Sequence, residues 1–302
     1  MRTAFIQNLC KLAKLDKRIW LLCGDLGYSV LEDFSKCFPD RFINVGVAEQ
    51  NMMATAAGLA SCNKIVFAST FAIFATGRAW DQVRNSVCYN NFNIKIVATH
   101  AGISVGPDGS SHQAVEDIGL MRVIPNINIV VPCDGPETHD ALLAAVQTPG
   151  PFYIRLGRPK VPTIEKRDEF KLGKARVLAD GKDATIVACG IMVQEALVAM
   201  QALAAKGIKV RLLDIHSIRP LDKDALLAAA KETGGIVVCE EHTVVGGLAS
   251  SVDEVVAENY PTKVVRVGIR NRFGQSGDPS ELLKEYNLKA EDIEKAVLAV
   301  LR

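Results

Sequence analysis

The chain has 302 residues, of which 49% are hydrophobic and 23% charged, and a formal net charge of +1. That length accommodates two α/β domains, and the composition excludes bulk disorder. The near-zero charge offers no field for nucleic acid or an anionic membrane, and no apolar run is long enough to span a bilayer. The eight cysteines form no CxxC pair. They read as buried, reduced thiols of a cytoplasmic protein rather than as disulfides or a zinc site.

The basic N-terminus places Phe5, Leu9 and Leu12 at helical spacing, which predicts a first helix leading into a strand over 19–23. A short strand at 42–45 precedes a small-residue helix. A strand over 64–68 and a long helix over 71–89 follow. Next come a strand over 94–99, a Gly-rich loop over 101–112 and a helix over 114–121. A strand over 128–131, a helix over 136–147 and a strand over 152–156 complete the first unit. Nearly continuous apolar strands alternating with helices predict a parallel sheet covered on both faces.

Residues 157–174 break this rhythm with Pro159, Pro162 and a charge cluster, as a linker does. A second α/β unit follows, with strands over 184–188, 210–214, 235–239 and 263–267. Its amphipathic helices lie at 221–231 and 248–258, and a last helix runs over 291–302. The expected division is a first domain over 1–165, a linker over 166–176 and a second domain over 177–302.

Ligands of an open α/β sheet bind beyond the carboxyl ends of its strands. Gly24, Asp25, Gly27 and Ser29 fall at the first such end, and Glu49 falls after the second. Phe71 and Phe74 follow the third, and His100, Asp108 and His112 the fourth. Arg155 and Arg158 follow the last. Taken singly, each has a plainer reading. Glu49 serves as a helix-start carboxylate, Phe71 and Phe74 as core residues at i, i+3, and Asp108 as a turn former. His100 and His112 serve as satisfied loop histidines, and the arginines as partners of linker acids. Gathered on one rim, they read as a site. Gly102, Gly106 and Gly109 do not match the dinucleotide fingerprint.

Four separated motifs carry a resemblance over essentially the whole chain: VGVAEQN with Glu49, ASTFAIF with Phe74, THAGISVGPDGSSHQ, and EEHTVVGGLASSV. In this order they resemble the transketolase family of thiamine diphosphate enzymes, in its pyrimidine-binding and C-terminal domains only. The family's N-terminal domain, which holds the diphosphate through Mg²⁺ (or Ca²⁺), has no counterpart here. The resemblance therefore implies the second subunit of a split transketolase, paired with a diphosphate-binding subunit as a dimer of heterodimers. The reaction it implies is transfer of a two-carbon ketol unit from a ketose phosphate to an aldose.

Position by position, the resemblance assigns Glu49 to N1′ of the cofactor's aminopyrimidine, where a carboxyl favours the tautomer that activates the thiazolium carbon. Phe74 becomes the aromatic stacked on that ring and Phe71 a neighbouring wall. His100, Asp108 and His112 become contacts to donor sugar oxygens, with His100 and His112 counted among the catalytic groups. Arg158, Arg2 and Ser29 become phosphate contacts, with Arg155 a rival to Arg158. No metal ligand is assigned to this chain.

Three positions depart from the family pattern: Gln50, Gly77 and Pro107. The neighbouring readings are a deoxyxylulose-phosphate synthase, the β-subunit of a 2-oxo-acid dehydrogenase, and a non-catalytic assembly paralogue. In the C-terminal domain, His216, Glu240, Glu241 and His242 lack zinc spacing and read as interface residues.

Overall fold

Runs of β-branched and aliphatic residues without alternation make strands buried on both faces. The computed structural model, which describes residues 1–26, 31–165 and 168–302, shows two such sheets. Six strands of the larger sheet come from the first half of the chain. They are β1 (Ile19–Cys23), β2 (Phe42–Asn44), β3 (Ile65–Phe71), β4 (Ile94–Thr99), β5 (Asn128–Val130) and β6 (Phe152–Arg155). The second half supplies β7 (Arg176–Ala179), β8 (Ala184–Ala188), β9 (Val210–Asp214), β10 (Ser217–Arg219), β11 (Ile236–Thr243) and β12 (Val264–Ile269). The sheet orders are β10-β5-β6-β4-β3-β1-β2 and β12-β11-β8-β9-β7. Both sheets are parallel except at one edge, where β10 runs antiparallel to β5 and β7 antiparallel to β9.

The chain is therefore a two-domain α/β protein, as its pattern predicts. Strands β1, β4, β8 and β9 match their predicted limits. The short edge strands β7 and β10 were not predicted, because three or four residues carry too little periodicity to read. Strand β10 lies in the second half of the chain yet extends the first half's sheet.

The predicted helix over 71–89 is corrected. Strand β3 continues through Phe71, and the following segment is wound into wide π turns over Phe74–Arg78 and Val83–Cys88, separated by one short α turn. Thr76 Oγ1 donates to the Ala72 carbonyl at 2.7 Å, taking the acceptor that its own amide would use in an α-helix. Gly77 follows in the same turn and weakens α-helix further. Such widened turns often carry functional side chains.

One face of the larger sheet packs Phe5, Leu9, Leu21, Phe67 and Ile154 into one apolar cluster. The other face packs Leu22, Met52, Met53 and Ile96 into a core that continues through Val187, Leu213 and Val238 of the second sheet. A buried ionic link also crosses between the halves, with Arg176 on Glu137 at 2.7 Å and on Asp140 at 3.1 Å. Among the described residues, no helix is long and apolar enough to cross a membrane.

Candidate active site

The carboxyl ends of β1, β3 and β4 converge on one rim, and the sequence-predicted residues gather there. Glu49 opens the helix Glu49–Ser61 and is only 1% exposed. A side chain at Gly24, just past β1, would meet Thr70 at 3.2 Å and Glu49 at 3.8 Å, so the β1 loop passes close over the acid. Arg78 Nη1 donates to Glu49 Oε2 at 2.9 Å.

Phe71 ends β3 and Phe74 starts the widened turn. Their rings stack with centroids 6.0 Å apart and planes 9° from parallel. The His112 ring meets Phe74 edge-on at 5.3 Å and Phe71 at 5.9 Å. The His100 ring lies 4.0 Å from Phe71. A buried carboxylate beside a half-buried aromatic face suits a flat heterocycle that offers an N–H to the acid. The Arg78 guanidinium, itself flat and a donor, lies 4.5 Å from the Phe74 ring centre while it bonds Glu49.

His100 sits past β4 at φ +57°, a conformation uncommon for a residue with a Cβ and typical of functional positions. Arg2 Nη1 reaches its Nε2 at 3.4 Å, and its Nδ1 lies 2.9 Å from Thr99 Oγ1. Since a guanidinium only donates, Nε2 accepts and Nδ1 carries the proton. Burial, aided by the charges of Arg2 and Arg158, pushes the imidazole down to about 4. It is therefore a neutral group at physiological pH.

Asp108 lies at the loop tip with Arg158 at 3.3 Å, both about one-third exposed at the side chain. Arg158 also donates to the Val105 carbonyl. Arg155 does not reach the rim. It is buried, with Nε on Asp117 Oδ2 at 2.7 Å and Nη2 on the Glu241 carbonyl at 3.0 Å. Of the two rival arginines, Arg158 therefore faces the site. Ser29 and Gly27 lie outside the described residues.

Gln50 is exposed and donates to the Arg78 carbonyl at 3.3 Å. Gly77 and Pro107 are also exposed. In the C-terminal half, Glu240, Glu241 and His242 are buried. The Glu240 carboxylate caps the amides of Leu248 and Ala249. His242 Nε2 accepts from Gly119 N at 3.3 Å. Burial pushes the Glu241 carboxyl up to about 7 against the pull of Arg155. Glu241 and His242 thus bond to the first half, on Ser104 N and Gly119 N, whereas Glu240 serves a helix of its own half.

Sequence reading missed Arg78 as a partner of Glu49. Its spacing from Phe74, i to i+4, was the available signal. It also missed that the C-terminal half grips the 101–112 loop, a long-range contact with no local signature.

Residues 1–163 match the family described as "Transketolase, pyrimidine binding domain", and residues 173–293 match "Transketolase, C-terminal domain". A "Putative transketolase C-terminal section" of Methanocaldococcus jannaschii is 43% identical over all of this chain and 96% of that protein. A 6-deoxy-6-sulfo-D-fructose transketolase subunit from Clostridium sp. (strain MSTE9) is 41% identical over 98% of this chain and 92% of that protein. Human transketolase is 37% identical over 99% of the chain, which spans only 49% of that longer protein. A solved structure described as "Split gene transketolase, inactive beta4 tetramer" is 47% identical. Its TM-score is 0.93, with 99% of this chain and 97% of that chain covered. The chain belongs to the transketolase family, whose members depend on thiamine diphosphate, and carries that family's pyrimidine-binding and C-terminal domains.

Proposed function

We propose that this chain is the pyrimidine-binding subunit of a two-chain transketolase. In this reading it acts with a separate diphosphate-binding subunit and transfers a two-carbon ketol unit from an anionic ketose donor to an aldose. The observation that carries the reading is the pairing of buried Glu49 with the Phe74 ring on a rim shared with His100, His112, Asp108 and Arg158. Thiamine diphosphate, when bound, supplies the electron sink for breaking and making the C–C bond. The partner subunit would hold its diphosphate through Mg²⁺ or Ca²⁺.

The chain's own residues orient and move protons. Glu49 bonds the pyrimidine nitrogen through its carboxyl and accepts the ring N–H, after Arg78 has moved aside. Phe74 and Phe71 wall the ring and exclude water. Neutral His100 accepts at Nε2 from a donor hydroxyl, and His112 faces the same space from the loop. Asp108 reads a sugar hydroxyl, since an acceptor that the bound donor covers and the wrong epimer leaves unpaired is costly. Arg158 and Arg2 bind the anionic end of the donor, with Ser29 as the third contact.

The relatives' names include transketolases for sulfofructose and for apulose 4-phosphate. The donor class is accordingly a ketose with a terminal phosphate or sulfonate. The similar inactive β4 assembly supports self-association of the chain without turnover in the absence of a partner.

The test is reconstitution. The purified chain alone should turn over no ketose phosphate. Addition of a diphosphate-binding transketolase subunit, thiamine diphosphate and Mg²⁺ should restore activity in an assembly of two copies of each chain. Turnover by the chain alone would refute the two-subunit reading. Activity of the mixture on pyruvate rather than a ketose phosphate would favour the deoxyxylulose-phosphate or dehydrogenase class. An assembled but inactive mixture would favour a non-catalytic paralogue.

A further inference from the structure

The 101–112 loop carries Asp108 and His112 and begins beside His100; its own domain holds its start, with Ala101 N on Leu156 O at 3.2 Å and Gly102 N on Ala114 O at 2.7 Å, and the C-terminal half holds it from the other side. Glu241, on β11 of the C-terminal half, accepts the Ser104 amide at 2.6 Å through Oε1. Gly102 stands at φ +80°, and a side chain there would collide with the Glu241 carboxylate. Gln113 ties Ile103 O at 3.0 Å to Gln275 O of the C-terminal half at 2.9 Å. Farther along the loop, Gly106 lies against Pro279 and Gly109 against Ser276. The residue after Ser104, Val105, offers its carbonyl to Arg158, and Arg158 reaches Asp108. A line of bonded groups thus runs from the Glu241 carboxylate to the rim.

We infer that Glu241 is a positioning residue for donor binding: a C-terminal-domain carboxylate that fixes the turn at 102–105 and thereby the placement of Asp108 and Arg158. The inference rests on the proposed transketolase function. Glu49 and Phe74 belong to other segments, and the loop meets Phe74 through the His112 ring, beyond the turn that Glu241 holds. Loss of Glu241 should therefore weaken capture of the ketose and leave cofactor binding intact. A purely structural role would lower stability and depress all binding together.

The first experiment is hydrogen exchange on the free chain. In Glu241→Ala, the amides of 102–106 should exchange about 10-fold faster or more, the scale of a lost buried charge-assisted hydrogen bond. Exchange in the helix Glu49–Ser61 should stay as in the unaltered protein. Glu241→Gln keeps an acceptor oxygen and should restore most of the protection. Gly102→Ala, which presses on the same carboxylate from the loop side, should reproduce the loosening if Glu241→Ala fails to fold.

The second experiment uses the reconstituted complex with xylulose 5-phosphate. Glu241→Ala should raise KM for the ketose about 10-fold or more with kcat lowered less and thiamine diphosphate affinity unchanged, and Glu241→Gln should recover the KM. Unchanged exchange at 102–106, or an unchanged KM in a variant that is otherwise active, would overturn the assignment. If the unaltered complex turned over no ketose phosphate, the functional reading would fall, and the exchange experiment alone would decide whether Glu241 fixes the loop.

Discussion

Arg78 Nη1 lies 2.9 Å from Glu49 Oε2, with its guanidinium over the Phe74 ring. Arg78 is half exposed while Glu49 is 1% exposed, so a solvent-facing cation covers a buried acid. In the proposed function, the cofactor ring takes the place of that guanidinium. Arg78→Ala should therefore tighten thiamine diphosphate binding to the complex, by up to about 5-fold, the scale of an exposed ion pair. Calorimetric titration checks this, and weaker binding would show that the arginine holds the cofactor instead. Glu49→Gln should fold normally and lose C2–H exchange of bound cofactor, as read by NMR.

Arg155 and Asp117 form a buried ion pair, supported by the Tyr153 hydroxyl on Asp117 Oδ2 at 2.6 Å. Arg155 is also bonded to the Ala114 and Glu241 carbonyls. Asp117→Ala leaves a buried guanidinium uncompensated and should cost about 3–5 kcal/mol. Urea unfolding measures the loss. A change below about 1 kcal/mol would show that water or another acid replaces the carboxylate.

His100 and His216 are both held below the ordinary imidazole range, at about 4 and about 3, chiefly by burial. Between those values and the unfolded value near 6.5, the unfolded chain binds more protons. Stability should therefore fall as pH drops from about 7 towards 4, by at most about 1.4 kcal/mol per pH unit for each histidine. Denaturant melts at pH 7, 6 and 5 read the slope. His216→Asn should make it shallower.

Asp214 and Glu137 are a buried carboxyl pair beside Arg176, and burial pushes Asp214 well above the usual carboxylate range, with the Glu137 charge adding to it. Glu137 accepts from Cys133 N and Arg176, whereas both Asp214 oxygens lack a donor partner. Burial pushes the Glu137 carboxyl up as well, and the pair holds one proton between them. The folded chain binds that proton where the unfolded carboxylate does not, so this group lowers stability as pH rises above about 4 towards its native value. Asp214→Asn needs no proton and should flatten the decline at neutral and higher pH by up to about 1.4 kcal/mol per pH unit. Melts of the two proteins at pH 6, 7 and 8 compare the slopes.

Arg158 faces the rim and Arg155 does not. Arg158→Ala should raise KM for a phosphorylated ketose about 10-fold or more and leave KM for an unphosphorylated one nearly unchanged. Equal effects on both donors would move the anion contact to Arg2 or elsewhere.

The amino-acid sequence by itself determined the two α/β units, most of the strands, and the cluster of Glu49, Phe71, Phe74, His100, Asp108, His112 and Arg158 at strand ends. Apolar runs, turn residues and motif order are local properties, and they are legible without coordinates. Only the tertiary structure decided that Arg155 is a buried partner of Asp117 while Arg158 reaches the rim, since two arginines three residues apart on one motif are chemically alike. It also decided the widened turn after β3, the crossing of β10 into the other half's sheet, and the hold of Glu241 on Ser104 across 137 residues of chain. Those features depend on which distant groups are left needing a hydrogen-bond partner once the sheets have packed, and no local pattern encodes that.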